Sequence, residues 1–118
     1  MPKRVLIVDD HQSFRGLARR LVEEVGLDVV GEASSGAQAL LEERRLRPDV
    51  VLLDIQLPDL DGFAVATSLS SLPAPPTVVL VSTREASDYG PRVRGCGALG
   101  FISKAELSAA SLAAMLGG

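Results

Sequence analysis

The sequence predicts a doubly wound α/β domain built on a five-stranded parallel sheet, and three observations lead there. Four short runs, Val5 to Val8, Val50 to Leu53, Val78 to Val81 and Leu99 to Ile102, have strand length and are apolar on both faces, as buried parallel strands are. Segments with helical spacing separate them. Apolar residues make up 47% of the 118 residues while aromatics make up 3%. The core is therefore expected to consist of Val, Leu, Ile and Ala in layers, as suits a sheet covered by helices.

The elements follow in order. Val5 to Val8 is the first strand. Phe14, Leu17, Ala18, Leu21, Val22 and Val25 then recur at three and four, with Arg15, Arg19, Arg20, Glu23 and Glu24 opposite, which predicts a helix lying on the sheet. Leu27 to Val30 is a weaker second strand. Ser35 and Gln38 have the spacing of a capping box for a second helix, Gly36 to Arg45, which Pro48 terminates. After the strand at Val50, Gly62 to Leu72 gives a third helix, closed by Pro73, Pro75 and Pro76. The connection from Arg84 to Gly97 is irregular, because Gly90-Pro91 interrupts any helix and leaves at most a short one starting near Pro91. Ala105 to Leu116 is the expected last helix. Strand alternating with helix five times, joined by right-handed crossovers, leaves few topologies, among which the strand order 2-1-3-4-5 is common.

Composition narrows the function. The length suits one domain, 1–118, with a core large enough to stand without disulfides. A formal charge of −3 with acids and bases interleaved provides no broad basic surface for nucleic acid, so partners are expected to be proteins. The single cysteine, Cys96, excludes an internal disulfide and speaks against a cysteine zinc site, so a reducing cytoplasm is the expected setting. In Arg94-Gly95-Cys96-Gly97 it is expected to be a small buried residue. The four apolar residues after Arg4 are too few for a membrane span or the core of a signal peptide.

Ligands of such sheets bind at the carboxyl ends of the strands, near the switch between the first and third, and the sequence places its acids there. Asp9 and Asp10 follow the first strand and Asp54 follows the third. Two unit charges about 4 Å apart repel by about 1 kcal/mol in water and about 4 at an effective dielectric near 20, so a bound cation relieves the cluster. Oxygen ligands select a hard ion, and Mg2+ suits one or two carboxylates plus a phosphate oxygen. The alternative is a set of solvated loop acids. Ser82 and Thr83 after the fourth strand and Lys104 after the fifth complete the rim. A phosphoryl group on Asp54 has three oxygens: one for the metal, one for a donor near Ser82 and one for the ammonium of Lys104. Asp54 is then a nucleophile that forms an acyl phosphate, and the protein supplies position and neutralising charge. Taken alone, Lys104 reads as a solvated helix-start lysine and Ser82 as a helix cap. His11, beside the acids, is expected in the first turn of the first helix at the pocket rim.

These residues resemble the receiver domains of two-component response regulators along essentially the whole chain. Val5-Leu6-Ile7-Val8-Asp9-Asp10-His11 is similar to the family's opening strand with its acidic pair. Pro48-Asp49-Val50-Val51-Leu52-Leu53-Asp54-Ile55-Gln56-Leu57-Pro58-Asp59-Leu60-Asp61-Gly62 is similar to its phospho-acceptor segment. Val78-Val79-Leu80-Val81-Ser82 and Gly97-Ala98-Leu99-Gly100-Phe101-Ile102-Ser103-Lys104 resemble its hydroxyl and lysine motifs. The resemblance implies a flavodoxin-like receiver fold, a sensor histidine kinase as phosphoryl donor, and Mg2+ held directly by Asp10 and Asp54, through water by Asp9, and by the backbone carbonyl of Gln56. It implies that Ser82 moves to the phosphoryl oxygen and lets Phe101 turn inward; Phe101 lacks the hydroxyl of the commoner Tyr, and plain core filling is its alternative role. Gln56 and Arg84 flank the pocket and are expected to tune hydrolysis. Such a domain catalyses only its own phosphorylation and dephosphorylation.

Val29-Val30-Gly31-Glu32-Ala33-Ser34-Ser35-Gly36 is similar to the NarL/FixJ-like subgroup, whose members usually carry a C-terminal helix-turn-helix. The expectation is a downstream partner protein or such a DNA-binding domain, and either a segment divided at a domain boundary or a stand-alone receiver, monomeric or paired as a homodimer. The irregular fourth helix puts the usual output contact in question. Three rivals remain. A nucleotide or flavin module needs a Gly-rich or Ser/Thr-rich loop where this chain has Asp9 and Asp10. A haloacid-dehalogenase-like phosphatase needs a second acid at Gln56. A degenerate receiver would keep the fold only as a phosphorylation-independent interaction module, against which stand Asp54, Asp10, Ser82 and Lys104.

Overall fold

Side chains alternate across a strand, so each apolar run of the sequence feeds two cores at once. In the computed structural model, which describes residues 2–117, the strands are β1 (Arg4–Val8), β2 (Asp28–Ala33), β3 (Val50–Asp54), β4 (Thr77–Ser82) and β5 (Gly100–Ser103). They form one sheet in the order β2-β1-β3-β4-β5 with every neighbouring pair parallel, the topology expected from the sequence. Val5, Ile7, Val50, Leu52, Val79, Val81 and Ile102 face one side, against Ala18, Val22 and Leu112. Leu6, Val8, Val51, Leu53, Val78 and Leu80 face the other, against Ala39, Phe63, Val65, Ala66, Leu69 and Cys96.

The helices are α1 (Gln12–Glu24), α2 (Gly36–Leu46), α3 (Gly62–Ser70), α4 (Arg92–Gly95) and α5 (Ala109–Met115). Ser35 caps α2 through Gln38, as its spacing predicts, although the Gln38 side chain reaches back to the Ser34 N–H rather than to that of Ser35. The fourth helix is a single turn after Pro91, preceded by a 3-10 turn at Ala86–Asp88.

Four expectations need correction. The last helix does not run from Ala105 to Leu116: a 3-10 turn at Lys104–Glu106 is followed by an extended Leu107, and α5 starts anew behind Ser108. The Ser108 and Ser111 side chains exchange hydrogen bonds with each other's N–H groups, a cap that stops a helix from running through. The second strand begins at Asp28 and continues past Val30 to Ala33, with a register shift opposite Val5/Leu6. Its polar Glu32 is held by Arg15 and Arg19 of α1 rather than by burial, which hides it from an apolar pattern. Leu17 lies 40% exposed, off the sheet-facing side of α1. The third helix ends at Ser70, short of Leu72.

Gly62 shows how tightly the third connection is drawn under the site. A Cβ there would lie 2.5 Å from the Ile55 Cα and 2.6 Å from the Asp54 carbonyl oxygen, both backbone atoms that cannot step aside. Gly62→Ala is expected to cost about 2 kcal/mol, measurable as a lower urea midpoint with unchanged slope.

Candidate functional site

Four strand ends converge on one edge of the sheet. Asp9 follows β1, Asp54 closes β3, Ser82 closes β4 and Lys104 follows β5. Consecutive connections leave β1 and β3 toward opposite faces, which opens the crevice these residues line. Carboxylate oxygens of Asp9, Asp10 and Asp54 and a ring nitrogen of His11 all lie within 4.8 Å of one another.

Burial divides the acids. Asp9 is fully buried, Asp54 is 2% exposed and Asp10 opens to solvent. Asp9 is satisfied on both oxygens: Oδ1 accepts from the His11 N–H at 2.8 Å, and Oδ2 accepts from Lys104 Nζ at 2.6 Å. Lys104 thus sits closer to Asp9 than to Asp54, whose Oδ2 is 3.7 Å away, and its ammonium also lies 4.2 Å from the centroid of the Phe14 ring. Asp54 has weaker support, a 3.3 Å hydrogen bond from the Gln56 N–H. Burial, and then the charge of Asp9, push the Asp54 carboxyl up to about 6, against the pull of Lys104.

An oxygen-rich cluster whose repulsion a single lysine offsets only in part fits a hard divalent cation. Asp9, Asp10 and Asp54 present carboxylates to it, and Gln56 adjoins them on the loop after β3. His11, at the N-terminal cap of α1, turns its Nδ1 to Asp9 and Asp10 at 3.1 and 3.0 Å, at the rim where the sequence places it.

The remaining expected residues surround the crevice unequally. Ser82 is fully buried, and its Oγ accepts from the Arg84 N–H at 3.1 Å. Thr83, Arg84 and Gln56 are exposed at the rim. Phe101 is half-buried against the cluster on the α2 and α3 side of the sheet. Sequence reasoning missed Tyr89. Its hydroxyl lies 2.7 Å from Ser82 Oγ, and its ring packs edge-on to Phe63 at a centroid distance of 5.3 Å. The available signal was a lone aromatic next to Gly90-Pro91, where a broken helix lets a side chain fold inward. Cys96 is buried, as expected.

Residues 5–116 match the family described as the response regulator receiver domain. Among curated relatives, the response regulator GacA of Pseudomonas viridiflava is 39% identical over 102 residues, 86% of this chain and 48% of the relative. The chain spans about half the length of the curated relatives it matches. Among solved structures, the NarL signal receiver domain of Mycobacterium tuberculosis superposes with a TM-score of 0.85 at 35% identity, covering 99% of this chain and 98% of that one. A LuxR-family two-component response regulator from an Aurantimonas species gives 0.85 at 29% identity, over 99% and 87% of the two chains. No helix among the described residues is long and apolar enough to cross a membrane. With the expected strand order found and the acids gathered at its switch point, the chain belongs to the receiver-domain family of two-component response regulators.

Proposed function

We propose that the chain is a phosphorylation-dependent switch in the cytoplasm, in which Asp54 accepts a phosphoryl group from a sensor histidine kinase with Mg2+ bound by Asp9, Asp10, Asp54 and the Gln56 backbone carbonyl. The observation that carries this reading is a buried carboxylate, Asp54, lying beside both a second buried carboxylate and a lysine ammonium. The metal, when bound, neutralises charge that develops on the phosphoryl oxygens.

The chain's own residues do the rest. An Asp54 oxygen forms the new P–O bond as the P–N bond of the donor phosphohistidine breaks, and the departing imidazole keeps the electron pair and takes a proton from solvent. With its carboxyl near 6, Asp54 is ionised at neutral pH and available as nucleophile. Lys104 is near enough to turn from Asp9 to a phosphoryl oxygen. Ser82, with Thr83 beside it, supplies the hydroxyl side of the pocket, and Gln56 and Arg84 flank the path of the hydrolytic water. Movement of Ser82, passed to Phe101, alters the face formed by α4, β5 and α5. The output is a downstream protein or a DNA-binding domain, in keeping with relatives described as transcription regulators. The chain transforms no external substrate beyond its own phosphorylation and dephosphorylation.

Intact-mass spectrometry after incubation with acetyl phosphate tests this. One phosphoryl adduct is expected with Mg2+ and none with excess chelator. Asp54→Asn, which keeps the shape and removes the nucleophile, is expected to take none. An adduct of equal yield on that variant would reject Asp54 as acceptor. A folded wild type that binds Mg2+ yet never labels would favour an interaction module that works without phosphorylation.

A further inference from the structure

We propose that Tyr89 is the positioning residue of the resting site: it holds the Ser82 hydroxyl by a direct hydrogen bond and is released when a phosphoryl group claims that hydroxyl. The inference rests on Asp54 as acceptor and adds a residue to it. Ser82 shares its face of β4 with Val78 and Leu80, and Tyr89 packs on that same face. The two hydroxyl oxygens are 2.7 Å apart, in a place where Ser82 is fully buried. Phe101 has no hydroxyl to offer, so among the three aromatic rings gathered here only Tyr89 can bond Ser82.

The hydrogen-bond inventory makes the bond a switch. A serine hydroxyl has one hydrogen. Its oxygen already accepts from the Arg84 N–H, and the contact with Tyr89 uses either its hydrogen or its remaining lone pair. A phosphoryl oxygen only accepts, so Ser82 must give it that single hydrogen. Where Ser82 has been the donor, the bond to Tyr89 is then broken or reversed with the phenol turned donor; where Tyr89 already donates, displacement of Ser82 toward the phosphoryl group lengthens the bond, and in each case the environment of the phenol changes.

The segment carrying Tyr89 is built to respond. The ring stands between Phe63 at 5.3 Å and Phe101 at 6.1 Å, so it links the start of α3 to β5. Gly90 has a φ of +64°, and the helix after it is a single turn. That turn is tied back to the α3 cap by an ion pair between Arg92 and Asp61, and the Arg92 guanidinium lies 4.4 Å from the Phe63 ring centroid. Freeing Tyr89 removes a polar anchor between this short segment and the end of β4, and passes the event to the Arg92 tether and to Phe101 together.

The chain has one Tyr and no Trp, so its intrinsic emission comes from Tyr89 alone. The test follows that emission and the intact mass in parallel as acetyl phosphate and Mg2+ are added to the full chain. In the wild type the emission is expected to change with the same time course as the adduct. Ser82→Ala is expected to show altered emission before any phosphodonor is added, and no further change afterward. Tyr89→Phe, which keeps the ring and removes only the hydroxyl, is expected to label about 2- to 10-fold faster, the effect of freeing one hydrogen bond. Adduct formation with constant wild-type emission and an unchanged rate in Tyr89→Phe would overturn the role of Tyr89 while leaving Asp54 as acceptor. Absence of any wild-type adduct would overturn the acceptor reading, and this inference with it.

Discussion

Lys104→Met will lower the stability of the metal-free protein by about 3 kcal/mol, roughly 10 °C in Tm for a domain of this size. Methionine keeps an unbranched stem of similar length and removes the ammonium, together with its contact to the Phe14 ring. Asp9 then loses its 2.6 Å partner while fully buried, and Asp54 loses the one cation that draws its carboxyl downward. Breaking a buried pair from one side costs about 3–5 kcal/mol. The Lys104 side chain is 14% exposed, which places the effect at the lower end. Saturating Mg2+ is expected to recover much of the loss, because a divalent ion among the same carboxylates replaces the missing charge. Thermal melts of both proteins in chelator and in Mg2+ measure this. A gap of equal size in the two conditions would mean that the lysine and the metal do not serve the same carboxylates.

The same physics decides what could be read from the sequence. Strand ends were legible because buried parallel strands are short apolar runs, and whatever polar residue follows such a run must lie at the sheet edge. Asp9, Asp54, Ser82 and Lys104 were located that way, and the edge they share follows from parallel pairing alone. Contacts among them were not legible. Spacing cannot tell that Lys104 lies at 2.6 Å from Asp9 and 3.7 Å from Asp54, since both acids are buried at neighbouring strand ends and only the three-dimensional placement separates them. Nor can it tell that Asp59, which reads as an ordinary loop acid, reaches across to accept from the Ala37 and Gly36 N–H groups. There it caps α2 together with the local Ser35, and the two N–H groups hold its carboxyl below the usual range. The split before α5 was hidden for a different reason. Lys104 to Leu116 has good helical composition throughout, and only the reciprocal Ser108 and Ser111 cap, a geometric event, divides it. Tyr89 was hidden by the irregular chain around it, where no periodicity assigns a side chain to a face.

Asp54→Asn will stabilise the metal-free protein at pH 8 and leave it nearly unchanged at pH 4, by the following balance. The folded-state carboxyl lies at about 6 against an ordinary 3.8, because burial and the charge of Asp9 both oppose ionisation. Below the ordinary value Asp54 is neutral in both the folded and the unfolded chain and contributes nothing to the difference. Between 3.8 and 6 the folded chain keeps a proton that the unfolded chain has released, so stability falls as pH rises through this window. Above it the full cost of holding Asp54 charged is present, about 3 kcal/mol at 1.36 per pH unit. Asparagine never ionises and escapes the cost. The variant is therefore expected to gain up to about 3 kcal/mol at pH 8 in chelator, with the gain vanishing toward pH 4. Mg2+ is expected to close the gap from the other side, stabilising the wild type more than the variant, because the carboxylate that is costly in the empty site is the one that rewards a cation. Urea unfolding at several pH values, with and without Mg2+, reads both trends. A difference that stays flat from pH 4 to 8 would place the Asp54 carboxyl in its ordinary range and remove the electrostatic strain on which metal binding here is argued.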